Sequence, residues 1–92
     1  MVRSVRHRGL RRFYENGDQS RIGADQVRRI SDVLAHLGEA TKAADLDLPG
    51  YRLHPLRGDL RGYWSVTISG NWRIVFRFEA GDAWDVDLLD YH

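Results

Sequence analysis

The chain contains no cysteine. That excludes a disulfide framework, a thiol nucleophile and a cysteine-based zinc knuckle. It also has no run of about 18 apolar residues, so no membrane-spanning helix is expected. The first dozen positions hold no acid and no apolar stretch of the kind a secretory signal requires, being crowded with Arg3, Arg6, His7, Arg8, Arg11 and Arg12. A protein that is not exported and works in the reducing cytoplasm, away from membranes, is the expectation. Lysine is nearly missing too: Lys42 is the single lysine among fourteen cationic side chains. Guanidinium offers a planar fork that binds phosphate bidentately. A GC-rich genome produces the same excess, so arginine content alone assigns no single residue. Internal repeats, low-complexity tracts and linkers are absent as well.

What remains is enough for one core. Ninety-two residues with 42% hydrophobic content fall in the single-domain range, and residues 1–92 are read as one domain. The formal net charge of +1 conceals a segregation. Residues 1–12 carry five arginines, whereas residues 79–92 carry Glu79, Asp82, Asp85, Asp87 and Asp90 with no lysine or arginine.

Periodicity divides the chain in two. Val2 to Arg6 alternate as a short strand, and Arg8 to Asn16 read as a basic helix stopped by Gly17. Val27, Ile30, Val33, Leu34 and Leu37 recur at three- and four-residue steps, predicting a helix capped by Asp25 and ended by Gly38. Thr41 is placed to start one further helical turn, and Pro49-Gly50 closes that stretch as a turn. From Tyr51 the period becomes two, predicting antiparallel strands at 51–54, 62–68, 72–78 and 83–89. Ser69-Gly70-Asn71 and Ala80-Gly81-Asp82 suit the hairpin connections. Trp64, Val66 and Ile68, then Trp72, Ile74, Phe76 and Phe78, then Trp84, Val86 and Leu88 form rows expected to face the helices. Tyr63, Ser65, Thr67, Arg73, Val75, Arg77, Asp85 and Asp87 are left on a wet face. The expected architecture is α+β, an antiparallel sheet with two N-terminal helices packed on one face.

Several residues in this scheme carry chemistry suited to RNA. Cleavage of RNA without a metal requires deprotonating the 2′-hydroxyl, neutralising charge on phosphorus and protonating the departing 5′-oxygen. His54 and His92 suit the proton steps, since imidazole titrates near neutral pH. Arg57 and Arg73 stay protonated and suit clamping of the phosphorane. Each histidine has a plainer reading: His54 as hydrogen-bonded at a strand end, His92 as a solvated tail residue. Tyr63 and Tyr91 are placed to stack on bases. Arg6, Arg8, Arg11, Arg12, Arg61 and Arg77 join Tyr63 as candidate RNA contacts; for the cluster at residues 3–12 the alternatives are a solvated helix face or an acidic protein partner. His7 and His36 read as structural or solvated, and the three tryptophans as packing. No metal site or cofactor is expected.

At HPLRGDLRGYWSV, followed by GNWRIVFRF and DYH, the chain resembles the HigB branch of the RelE/ParE superfamily of bacterial type II toxins. The resemblance starts at VRHRGLRRFYE, passes through DLPGYRLHPL and spans nearly the whole chain. It implies a RelE-like α+β fold and a ribosome-dependent endoribonuclease that cuts mRNA in the decoding site of the 70S ribosome. By position it implies functional groups at His54, Arg57, Arg73, Asp90, Tyr91 and His92, with Tyr91 orienting a nucleotide and Asp90 fixing a neighbouring ring. Relatives commonly have lysine where this chain has Arg57, so a neutral base at that position is ruled out and a charge stabiliser is expected. The resemblance also implies a cognate HigA-like antitoxin with a helix-turn-helix domain, operator DNA being bound only through that antitoxin. Two other readings keep the fold: a ParE-like toxin of DNA gyrase, and a binding module that impairs ribosome function or assembly without cutting RNA.

Overall fold

The period-two rows after Tyr51 pair as an antiparallel meander. In the computed structural model, which describes residues 1–90, the described strands are β1 (His54–Pro55), β2 (Trp64–Ser69), β3 (Trp72–Glu79) and β4 (Asp82–Asp90), in the spatial order β1-β2-β3-β4. Helices α1 (Arg8–Asn16) and α2 (Val27–Glu39) precede them, and short 3-10 turns occupy Ala43–Leu46 and Gly58–Leu60. Helices gathered on one face of an antiparallel sheet make this an α+β fold, as the two periodicities predict.

The core lies between α2 and the sheet. Ile30, Val33, Leu34 and Leu37 of α2 are buried against Val66 and Ile68 of β2, Ile74 and Phe76 of β3, and Ala83, Val86 and Leu88 of β4, with Leu10 of α1 and Leu46 completing the cluster. Helix α1 ends where expected, at Gly17, whose φ of 72° and bonds from its N–H to the Arg12 and Phe13 carbonyls form a left-handed cap. At its start the His7 Nδ1 accepts the Leu10 N–H at 3.0 Å. Gly9 is required by proximity, since a Cβ there would stand 2.7 Å from the Arg21 Cβ.

Helix α2 departs from its sequence signals. Its N-cap is Gln26, not Asp25, and no side chain caps it. Buried Gln26 instead donates Nε2 to the Ser69 Oγ of β2 at 3.0 Å, so a tertiary bond fixes the entry where a local cap was expected. Gly38 does not stop the helix, which continues to Glu39 and turns at Ala40. The Thr41 N–H donates to an Asp45 carboxylate oxygen at 3.0 Å just before the 3-10 turn.

The sheet differs from expectation at its edges. Val2 and Val5 form isolated parallel bridges to Ala83 and Val86 instead of a regular strand, and they extend the sheet beyond β4. The strand predicted from Tyr51 starts only at His54 and runs to Pro55, because Arg52 adopts a φ of 52° that breaks the extended run before it. In β4 the pairing shifts between Val75↔Asp87 and Arg77↔Trp84, and Asp85 takes a φ of 53°. This bulge turns Ala83 and Val86 inward and moves Trp84 out of the expected core row. The opposite face is not uniformly wet either: Ser65 is 5% and Val75 2% exposed.

Phe76 is among the largest fully buried side chains. Phe76→Ala is expected to cost about 3–5 kcal/mol in urea unfolding, with a smaller loss for Phe78→Ala, whose ring is only partly buried.

Candidate active site

Filling the core with Val66, Ile74 and Phe76 obliges their chain neighbours to face the other way. The register then builds two rows on the helix-free face. His54, Ser65, Val75 and Asp87 form one row across all four strands, and Thr67, Arg73 and Leu89 form the next. An open cleft of about 430 Å³ lies there, lined by Arg52, His54, Leu56, Ser65, Thr67 and Arg73. From strand spacing, the His54 and Arg73 α carbons are roughly 12 Å apart, within the reach of an arginine and an imidazole turned toward a shared ligand.

Each of the two has a reason to be where it is. His54 precedes a proline, which disfavours helix and holds it extended, and a proline is tolerated because β1 is an edge strand. Its side chain is exposed on the row of Ser65. Arg73 is half-buried, and its Nη1 donates to the carbonyls of Gly70 at 2.7 Å and Trp72 at 3.0 Å. One nitrogen is thus spent on orienting the guanidinium by the β2–β3 turn. Among the described residues no protein acceptor is bonded to Nε or Nη2, which leaves both to face an anion.

The other expected residues are dispersed. Arg57 and Arg61 flank the 3-10 turn at Gly58–Leu60 between β1 and β2, both exposed, and neither lines the cleft. Arg6, Arg8, Arg11 and Arg12 are exposed at the start of and along α1. Tyr63 and Arg77 meet on one carboxylate: Arg77 Nε donates to Asp85 Oδ2 at 2.9 Å, its Nη1 to Glu79 Oε2 at 2.9 Å, and the Tyr63 hydroxyl to Asp85 Oδ2 at 3.1 Å. The Arg77 guanidinium also lies 5.7 Å from the Trp84 ring. That network sits about 13 Å along β3 from Arg73 and holds Arg77 away from the cleft. Asp90 pairs with Trp72, on the face of Leu88, whereas Arg73 pairs with Leu89 on the opposite face. Tyr91 and His92 lie outside the described residues. His36 packs edge-on against Tyr51 at 5.7 Å. Among the described residues no three His, Cys, Asp or Glu side chains gather as a metal site.

Sequence reasoning left Arg52 and Leu56 unassigned and gave Ser65 and Thr67 no role beyond the outward row. The alternation that assigned Arg73 to that face applies equally to Ser65 and Thr67. Arg52 has no such signal, because its position depends on a backbone angle.

A family model for RelE-like toxins of type II toxin-antitoxin systems, HigB, matches residues 3–92. The chain belongs to the HigB-like toxins. Over its full length this toxin is 45% identical to the Endoribonuclease HigB of Proteus vulgaris, covering all of both chains. It is 28% identical to Toxin HigB-1 of Vibrio cholerae serotype O1 over 94 aligned positions, with all of this chain and 98% of that one covered. Its fold is similar to a YoeB/ParE toxin from Agrobacterium tumefaciens, with a TM-score of 0.67 at 22% identity, over 100% of this chain and 99% of the other. As a type II toxin it is one half of a pair, the other being an antitoxin. No described helix is long and apolar enough to cross a membrane.

The network around Asp85 yields a test of pH dependence. The hydrogen bond from Arg77, reinforced by Tyr63 and opposed by partial desolvation, holds the Asp85 carboxyl below its ordinary value. A depressed carboxylate stabilises the fold above its unfolded pKa of about 3.9 and loses that contribution as the pH falls through the folded value. Asp85→Asn is therefore expected to cost about 1–2 kcal/mol at pH 7 after allowance for solvent screening. In urea titrations the gap from wild type should narrow below about pH 4.

Proposed function

We propose that this toxin is a ribosome-dependent endoribonuclease that cuts mRNA in the decoding site and so arrests translation and growth. The observation that carries this reading is the placement of His54 and Arg73 on one open cleft, on the face of the sheet that the helices leave bare. Family membership and the name of the Proteus vulgaris relative support it. RNA's own 2′-hydroxyl serves as nucleophile, so protein groups carry every step. A histidine, His54 or His92, takes the 2′-hydroxyl proton as O2′ bonds to phosphorus. The P–O5′ bond breaks, and the 5′-oxygen leaves with a proton from the other acid. Arg73, oriented by two backbone carbonyls, binds the non-bridging oxygens as their charge grows. Arg57 supplies a second positive charge from the loop after β1. Tyr91 orients or stacks the nucleotide, and Asp90, at the end of β4 on the face opposite Arg73, fixes a neighbouring ring from there.

Basic side chains outside the cleft are assigned to ribosomal RNA and to the antitoxin. Arg6, Arg8, Arg11 and Arg12 on and before α1, with Arg61 in the β1–β2 connection, form that surface, and Tyr63 and Arg77 contribute through the Asp85 network. A helix-turn-helix antitoxin then provides all binding to operator DNA, and the toxin acts in the cytoplasm on 70S ribosomes.

Mapping mRNA 5′-ends in a translating extract tests the reading. Wild type is expected to produce cuts at codon positions, and His54→Ala, Arg73→Ala and His92→Ala should each reduce them by roughly 10²–10³-fold. Growth arrest without any cuts would overturn the nuclease and direct attention to gyrase or to ribosome assembly.

A further inference from the structure

Arg52 is set apart from the other exposed arginines by its backbone and its surroundings. Its φ of 52° lies in the left-handed region that non-glycine side chains rarely adopt. Such a conformation persists only where neighbouring contacts impose it, and those contacts are present. Tyr51, immediately before it, is buried, and its carbonyl accepts the Thr67 N–H at 2.8 Å. The Arg29 guanidinium of α2 covers the Tyr51 ring at 4.5 Å, donates Nη2 to the Gly50 carbonyl and donates Nε to the Thr67 carbonyl at 3.2 Å. One buried ring and one bridging arginine thus lock residues 50–51 to β2. Arg52 follows on this anchored stem, is exposed, lines the cleft and has no ion pair or hydrogen bond from its side chain among the described residues.

A mobile surface arginine needs no such mounting. Arg52 stands on the His54 side of the cleft, across β2 from Arg73, so the two guanidiniums address different points along a strand laid between them. We propose that Arg52 is a substrate-binding residue that takes an mRNA phosphate adjacent to the one held by Arg73. This rests on the endoribonuclease reading above and adds to it a second, non-reacting backbone contact. A contact made equally in ground and transition states sets affinity and leaves the rate of the bound complex unchanged.

Glycine accepts a φ of 52° without strain, so Arg52→Gly removes the guanidinium while leaving the backbone undisturbed. The test is single-turnover cleavage on mRNA-programmed ribosomes, with toxin concentration and salt both varied, for wild type, Arg52→Gly, Arg52→Lys and Arg73→Ala, each checked for folding by circular dichroism. For Arg52→Gly the half-saturating concentration is expected to rise roughly 10–30-fold, the effect of deleting one charge-assisted hydrogen bond, with the maximal rate within about 3-fold of wild type. The log–log salt dependence of binding should become shallower by nearly one unit, because one fewer phosphate is neutralised. Arg52→Lys should recover most of the affinity, and Arg73→Ala should lose maximal rate instead. If Arg52→Gly matches wild type in half-saturation and salt slope, or loses only maximal rate, the binding role is wrong while the nuclease stands. If wild type itself makes no cuts, both readings fall.

Discussion

The pairing of β2 with β3 in one register is the constraint on which the molecule depends. Val66 opposite Ile74 and Trp64 opposite Phe76 fill the helix side, and this leaves Ser65 opposite Val75 and Thr67 opposite Arg73 on the other. A slip by one residue would exchange the faces, burying Arg73 among the aliphatic side chains of α2 and exposing Phe76. Burial of an unpaired guanidinium is costly enough that the core and the cleft enforce each other. Stability and site geometry therefore share one cause. The bulge between Thr67 and Ser69 then lets the turn approach Arg73, so that the Gly70 and Trp72 carbonyls can receive its Nη1.

Much of this was legible in the sequence because it follows from periodicity. Leu37, Leu34, Val33 and Ile30 announced α2, and the alternation from Trp64 to Phe78 announced β2 and β3 and the outward placement of Arg73. Gly17 marked its helix end because a left-handed cap is a local property. The errors lie where long-range contacts override local signals. Asp25 looks like a cap, yet the bond between Gln26 and Ser69, 43 positions apart, sets the start of α2. Trp84 belongs to a clean alternating row, yet the positive φ at Asp85 breaks the alternation and Ala83 takes the inward place. Tyr51 reads as the start of a strand, yet the positive φ at Arg52 delays the strand to His54.

The candidate site follows the same division. His54 is legible by residue type at a strand end and Arg73 by residue type and by face, and the cleft brings them together. Arg77 and Tyr63 share that face in the sequence pattern, but Asp85 draws them into a separate cluster with Glu79, Ser4 and Trp84. Ser4 is the piece that no local pattern could reveal. Its hydroxyl accepts the Asp85 N–H at 2.7 Å, satisfying a backbone group that the bulge releases from the ladder. Arg52 was overlooked for the complementary reason, since its importance is a property of the buried residues beside it.

The parallel bridges from Val2 and Val5 to β4 join the beginning of the chain to one of its final segments, with the Met1 ammonium 3.2 Å from an Asp82 carboxylate oxygen. The edge formed by Val2 and Val5 therefore rests on contacts some eighty positions apart in sequence, which are slow to close in folding. Without them β4 would be an uncovered edge strand. The border of the sheet that carries the cleft is consequently set by the longest-range contacts in the fold, not by the hairpins that build its centre.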